Sequence, residues 1–149
     1  MTPQAIHRRL RWSDFWGDVQ VVDVVSSSVE VLKAQANRGA AQGTALVALT
    51  QTAGRGRSGN AWASARGGVW LSALLHPTFD PQRAGCMSVV AGVAVAQALR
   101  RAFEVSVQVK WPNDLWVRGK KLGGILVELS TRARHIDWMI VSVHKLFLQ

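Results

Sequence analysis

The chain has little of what usually settles a class at once. Its 149 residues include one cysteine, Cys86, and no tyrosine. A lone thiol excludes an intrachain disulfide and fits a reducing, cytoplasmic setting. Four prolines and no low-complexity stretch leave no linker on which to divide the chain. No apolar run precedes a small-residue cleavage site near the start, so no signal peptide is expected. The most apolar stretch, Cys86–Leu99, is too short to span a bilayer, and no membrane partner is expected. Charged residues are only 18% and hydrophobic ones 48%, which excludes disorder and is ample for one folded domain.

Acidic residues are also scarce, 9 against 18 basic, for a net charge of +9. That balance favours anionic partners. The basic residues are spread, with no run of five. A nucleic-acid surface would rest on charge alone and on the seven tryptophans. Those too are scattered, and the plain reading places most of them in the core.

Residues Val19–Ser27 read as a strand. The stretch Ser27–Gly39 then reads as a helix that Ser27 or Ser28 can cap, with Gly39 as its stop. Thr44–Gln51 and Gly67–Pro77 are apolar strands. The strongest helix starts near Pro81, with Asp80 as N-cap, and ends near Phe103. Val105–Trp111 alternates at period two. Leu115–Val117 and Leu122–Leu129 form a hairpin about Arg118–Gly119, and Arg134–Val143 is a last strand. Strands outnumber helices and hairpins dominate the second half, so the class is α+β with a mixed, largely antiparallel sheet.

The stretch Gln51-Thr-Ala-Gly-Arg-Gly-Arg-Ser-Gly-Asn-Ala-Trp62 contains a literal G-x-G-x-x-G at Gly54, Gly56 and Gly59. A dinucleotide fingerprint must open a helix directly after a strand. Here a strand comes next instead, and no G-K-S/T is present for a phosphate-binding P-loop. What remains is a strand–loop–strand connection carrying Arg55 and Arg57. Glycines let backbone N–H groups approach an anion, and guanidinium forks suit phosphate or carboxylate. A ligand-free basic hairpin fits the spacing equally.

A second segment, Lys110-Trp-Pro-Asn-Asp114 followed by Arg118–Ser130, places polar groups just past a strand end, a common site arrangement. Lys110 also reads as an edge-strand solubility lysine, and Asn113–Asp114 as an ordinary turn. Gly123–Gly124 inside an apolar strand suggests that something packs close to the backbone.

Together, "QTAGRGRSGNAW" and "KWPNDLWVRGKKLGGILVEL" resemble the catalytic domain of biotin protein ligases, in the biotin/lipoate ligase superfamily, over roughly Val19–Ile140. The resemblance implies a class II synthetase-like fold. It also implies an enzyme using ATP, Mg²⁺ and biotin to form biotinyl-5′-AMP and then biotinylate a lysine on a carboxyl carrier domain of a biotin-dependent carboxylase. By position it implies that Gly54–Gly59 folds over biotin and the adenylate. Arg55 and Arg57 would lie near phosphate, Trp62 would close the site, and Gln51 would line the biotin pocket. Lys110 would contact carboxylate and phosphate, with Asn113 and Asp114 beside it and Gly124 facing biotin. Ser27 and Ser28 would keep hydroxyls of the family's segment before the first helix. The catalytic group is thus Lys110, Arg55 and Arg57, with no resident metal. Leu71 and Ile125 would wall the biotin ring. Ligation of lipoate or another acyl group is the alternative, as is a truncated domain that binds biotin without full catalysis.

Three departures stand out. Val29 replaces an amide. A family Gly-Ile-Gly-Ile/Leu-Asn turn is replaced by "SVHKLFLQ", where the sequence stops, so residues 19–149 read as a partial catalytic domain and Asp137–Val143 as an apolar edge strand able to pair with a second copy as a homodimer. Residues 1–18 read as a basic extension too short for a winged helix, so no DNA binding is expected.

Overall fold

The computed structural model describes residues 5, 6, 8, 9 and 14–144. Most of the basic extension, including Arg11 and Trp12, and residues 145–149 lie outside the described residues. The expected elements are present. Strand β1 is Val19–Val25, helix α1 Ser28–Ala36, β2 Ala45–Gln51 and β3 Trp70–Leu75. A 3-10 turn at Pro81–Cys86 leads into α2, Met87–Phe103. Four more strands complete the chain: β4 Val107–Lys110, β5 Asp114–Val117, β6 Lys120–Arg132 and β7 His135–His144.

Local chemistry explains the boundaries. The Asp80 carboxylate accepts from the backbone N–H of Gln82 (2.8 Å), and Pro81 opens the turn. Helix α2 ends where Glu104 turns left-handed, and its N–H returns to the Arg100 carbonyl. Arg118 and Gly119 both take positive φ (49° and 75°), the two-residue turn that the β5–β6 hairpin needs.

All seven strands form one sheet in the order β1-β2-β3-β7-β6-β5-β4. Only β1 and β2 run parallel, joined through α1; the other pairs are antiparallel. This corrects one expectation. Asp137–Val143 is not at an edge: β7 lies between β3 and β6, with both ladders filled. Its apolar residues face covered layers, so the pairing surface expected for a homodimer there does not exist. Among the described residues the outermost strands are β1 and β4.

The two helices take opposite faces and opposite halves. Helix α1 buries Val29, Leu32 and Ala36 with Leu46, Ala48, Trp70, Leu74 and Ile140, over β2, β3 and β7. Helix α2 buries Ala96 and Leu99 with Val107, Leu115, Ile125 and Val143, over β4 to β6. The whole run Pro81–Phe103 has 23 residues at hydropathy 1.3, enough by length and composition to cross a membrane and longer than the apolar stretch picked out in the sequence. Gly92, Ala96 and Leu99 form its buried stripe, and Gly92 lets the helix approach Val109. Among the described residues the offset leaves the α1-side face of β4, β5 and the start of β6 without a helix over it.

Candidate active site

Directly paired residues on neighbouring strands point to the same face. One such row crosses the sheet: Lys110 opposite Asp114, Asp114 opposite Gly124, Gly124 opposite His144, His144 opposite Trp70, and Trp70 opposite Ala48. Its Lys110–Gly124 end lies on the uncovered face, and its Trp70–Ala48 end lies under α1. The row is therefore a floor that opens beside a helix.

The glycine/arginine loop roofs it. The Trp62 N–H donates to the Gly54 carbonyl (2.8 Å) and the Gly56 N–H to the Asn60 carbonyl (2.8 Å), which folds the loop on itself. A Cβ on Gly54 would meet Ser64 Oγ at 2.3 Å and Trp62 O at 2.5 Å, so only glycine fits there. A Cβ on Gly124 would meet Trp62 Cη2 at 3.8 Å: the indole lies on the glycine floor. Lys121 Nζ sits 4.9 Å from the Trp62 ring centre and pairs with Asp114 Oδ1 at 2.7 Å. At the loop's tip, Arg57 Nη1 donates to Asn113 Oδ1 (3.3 Å). Asn113 is itself pinned to β6, its Nδ2 donating to the Ile125 carbonyl (2.9 Å) and its carbonyl accepting from the Ile125 N–H (2.8 Å).

Lys121 thus pairs with the Asp114 carboxylate, Lys110 stands opposite Asp114 in register, and Arg57 is held by the neighbouring Asn113. Lys110 Nζ stacks 4.3 Å over the Trp116 ring. Arg55, expected beside phosphate, instead turns its guanidinium towards α1, 3.5 Å from Glu30. Glu30 and Glu128 also hold Lys33; burial pulls the pKa of Lys33 down, but the two carboxylates keep it above the usual lysine value.

Beneath α1 lies a closed hydroxyl network. Gln51 Oε1 accepts from the Ser28 backbone N–H (2.7 Å) and from Ser28 Oγ (3.0 Å). Gln51 thereby satisfies a first-turn N–H of α1 from another strand. Ser27, although it occupies the N-cap, makes no capping bond, and its buried Oγ has no partner among the described residues. Ser28 spends its proton on Gln51, so it accepts from Ser72 (2.7 Å), which accepts from Ser142 (2.8 Å). On its other side Gln51 Nε2 donates to Ser64 Oγ (3.0 Å), which donates to the Trp62 carbonyl (3.1 Å). The network runs from the helix start to the loop that carries Trp62.

The structure gathers Ser27, Ser28, Gln51, Gly54, Gly56, Arg57, Trp62, Lys110, Asn113 and Gly124 around one floor and its rim. Gly59 lies at the exposed loop tip with φ +77°. Leu71 and Ile125, expected as walls, lie on the other face: Ile125 is in the α2 core and Leu71 packs against that core. Their neighbours Trp70 and Gly124 face the site, because the strand period is two. Val29 is fully buried in the α1 core, so the lost amide is a core change. Sequence reading missed Lys121, Ser72, Ser142 and His144. The hairpin register would have found Lys121. The others depend on β7 entering the sheet centre, which no local signal encodes.

His144 is 3% exposed, and burial, the larger cause, pushes its pKa down to about 4 against a hydrogen bond to the Arg55 backbone that acts upwards. Its ring centre lies 6.2 Å from that of Trp62 and 6.4 Å from that of Trp70.

Residues 21–144 match the family model for the biotin/lipoate A/B protein ligase family, and the chain belongs to that family. Among curated relatives, the Bacillus subtilis (strain 168) bifunctional ligase/repressor BirA is 38% identical over 122 residues, covering 81% of this chain and 38% of the relative. The Mycobacterium tuberculosis biotin–[acetyl-CoA-carboxylase] ligase is 40% identical over 121 residues, covering 77% and 46%. The fold is similar to the Aquifex aeolicus biotin protein ligase in complex with biotin and ATP, at TM-score 0.72 and 34% identity, covering 87% of this chain and 52% of that one. The Leishmania major biotin protein ligase in complex with biotin shares the fold at TM-score 0.73 and 24% identity, covering 86% and 56%. The chain spans less than half the length of these curated relatives and about half that of the Aquifex enzyme.

Proposed function

We propose that this chain carries the acyl-adenylate site of an ATP-dependent biotin–[carrier protein] ligase. A carboxylate oxygen of biotin attacks the α-phosphorus of ATP, the bond to the bridging oxygen breaks, and pyrophosphate leaves. A carrier-domain lysine amine then attacks the carbonyl of biotinyl-5′-AMP, releasing AMP. Neither step needs a nucleophile from this chain. The first needs two anions held together while charge grows on phosphate, and the second needs the amine aligned on the carbonyl as negative charge gathers on the leaving AMP, which is positioning and electrostatic work.

The observation that carries this reading is the folding of the glycine/arginine loop over a glycine floor, with Arg57 on Asn113, Lys121 on Asp114 and Lys110 in the same register row. Lys110, free of any carboxylate in its register row except Asp114, would take the shared negative charge of carboxylate and α-phosphate. Arg57 would hold the lid shut on it, and Trp62 would keep water from the mixed anhydride. Arg55 would reach phosphate only after leaving Glu30. Ser27, with its unused buried hydroxyl, and Gln51 would meet the ring end of biotin. No group of three or more His, Cys, Asp or Glu side chains able to hold a metal occurs among the described residues. Mg²⁺ would therefore arrive on the ATP phosphates, a common arrangement for that ion. The carrier is a biotin carboxyl carrier domain, and the setting is the cytoplasm.

Incubation with ATP, Mg²⁺ and biotin should yield biotinyl-5′-AMP and pyrophosphate. Adenylate from lipoate but not biotin would reassign the substrate to the lipoate alternative. Biotin binding without adenylate would leave a binding domain, and no binding of either acid would defeat the reading.

A further inference from the structure

His144 stands in the floor row between Gly124 and Trp70, under Trp62. It is 3% exposed, and its Nε2 has no hydrogen-bond partner among the described residues. A buried, unpaired ring nitrogen costs the fold solvation and returns nothing while the lid is closed. The other ring nitrogen is engaged by the backbone of Arg55. That contact favours the protonated ring, so the nitrogen donates, which makes it Nδ1–H against the Arg55 carbonyl. A neutral imidazole with Nδ1 protonated leaves Nε2 as a bare acceptor.

We infer that His144 Nε2 is a specificity contact of this site, accepting a hydrogen bond from a ring N–H of the bound acid. The inference rests on the acyl-adenylate reading above and names the chemistry at the far end of that pocket. Lys110 and His144 lie three strands apart in one row, about 14 Å by strand spacing, so an elongated acid can meet a cation at one end and an acceptor at the other. The ureido ring of biotin carries N–H donors. The dithiolane of lipoate carries none. A site built around an acceptor rejects the ligand that cannot donate, because the acceptor is then left buried and unpaired. Trp62, whose ring centre lies 6.2 Å from that of His144, is on the same Arg/Gly loop whose tip is held by the Arg57–Asn113 bond, so opening of that loop would be the route by which a ligand reaches the acceptor.

The test uses the full chain with ring-¹⁵N histidine, biotin and lipoate as separate probes, and His144→Phe, which keeps a ring and removes Nε2. Biotin should move the His144 Nε2 resonance, assigned by its loss in H144F, from the free-acceptor range towards the hydrogen-bonded range. Lipoate should leave it in place. H144F should weaken biotin binding by roughly tenfold, the effect of one lost hydrogen bond, and lipoate binding by less. Where H144F fails to fold, the resonance in the unmodified chain, identified by its nuclear contacts to Trp62 and Trp70, decides alone. If biotin quenches tryptophan fluorescence but leaves the Nε2 resonance fixed, the inference is overturned and the ligase reading stands. If neither acid changes fluorescence or resonance, both are overturned.

Discussion

Arg57 meets Asn113 across 56 residues of chain, its Nη1 donating to Oδ1 at 3.3 Å. This bond ties the tip of the glycine/arginine loop to the start of β5, and β6 in turn holds Asn113 through both its side chain and its backbone. It is exposed, so it contributes little to global stability. Its effect is on where the loop sits. Arg57→Ala should therefore change stability hardly at all, by less than about 1 kcal/mol. Limited proteolysis within residues 55–61 should accelerate severalfold. Unchanged cleavage would mean that the lid is held elsewhere.

Lys110→Ala should separate chemistry from folding. The ammonium group belongs to an exposed residue and rests on the face of Trp116. Removing it should cost at most about 1 kcal/mol of stability. Adenylate formation should fall by roughly 100-fold or more, as for loss of a charge-stabilising group in a preorganised site. Pyrophosphate release and a urea melt on the same sample check both halves. Equal loss of the two would make Lys110 structural.

Two glycines of the same loop should respond differently. At Gly54 an added methyl would collide with Ser64 Oγ and the Trp62 carbonyl, at 2.3 and 2.5 Å. Gly54→Ala should cost about 1–3 kcal/mol as overpacking and displace Trp62 from the floor. At Gly59 nothing lies within 4 Å, and only the positive φ of 77° opposes a side chain. Gly59→Ala should cost about 1 kcal/mol and leave Trp62 in place. Urea unfolding gives the energies, and tryptophan emission reports the indole.

The stability of the chain should depend on pH through His144. Unfolded, the imidazole titrates near 6.5; folded, burial lowers it to about 4. Between those values the unfolded chain binds more protons, so stability rises with pH. The contribution is complete above about pH 6.5 and is lost as pH falls towards 4, on the order of 3 kcal/mol in all. His144→Phe should flatten that part of the profile. A variant with the same slope between pH 4 and 6.5 would place the titration in another group.

Much of this protein was legible in its residues. Alternation at period two marked β4, and the Arg118–Gly119 turn set the β5–β6 hairpin, because both are local backbone preferences. The Arg/Gly loop could be freed of the dinucleotide reading because a strand comes after it where a helix is required. Lys110, Asn113 and Gly124 could be picked out as candidates because polar groups at a strand end and a glycine inside an apolar strand are local patterns, and the structure brings all three to one floor and its rim.

Sheet order was not legible. Strand β7 reads the same whether it ends the sheet or fills its centre, since both positions want alternating apolar residues, and pairing partners are chosen by long-range closure. That choice turned an expected exposed edge into a buried strand and carried Ser142 beneath α1 and His144 into the floor row. It also decided the faces: the sequence placed Leu71 and Ile125 one residue from Trp70 and Gly124, and only packing against α1 and α2 said which of each pair faces the floor. The residues alone therefore determined the elements, the lid and its cations. The tertiary structure decided what the lid closes on, because a strand's neighbours are set by the whole sheet and not by the strand.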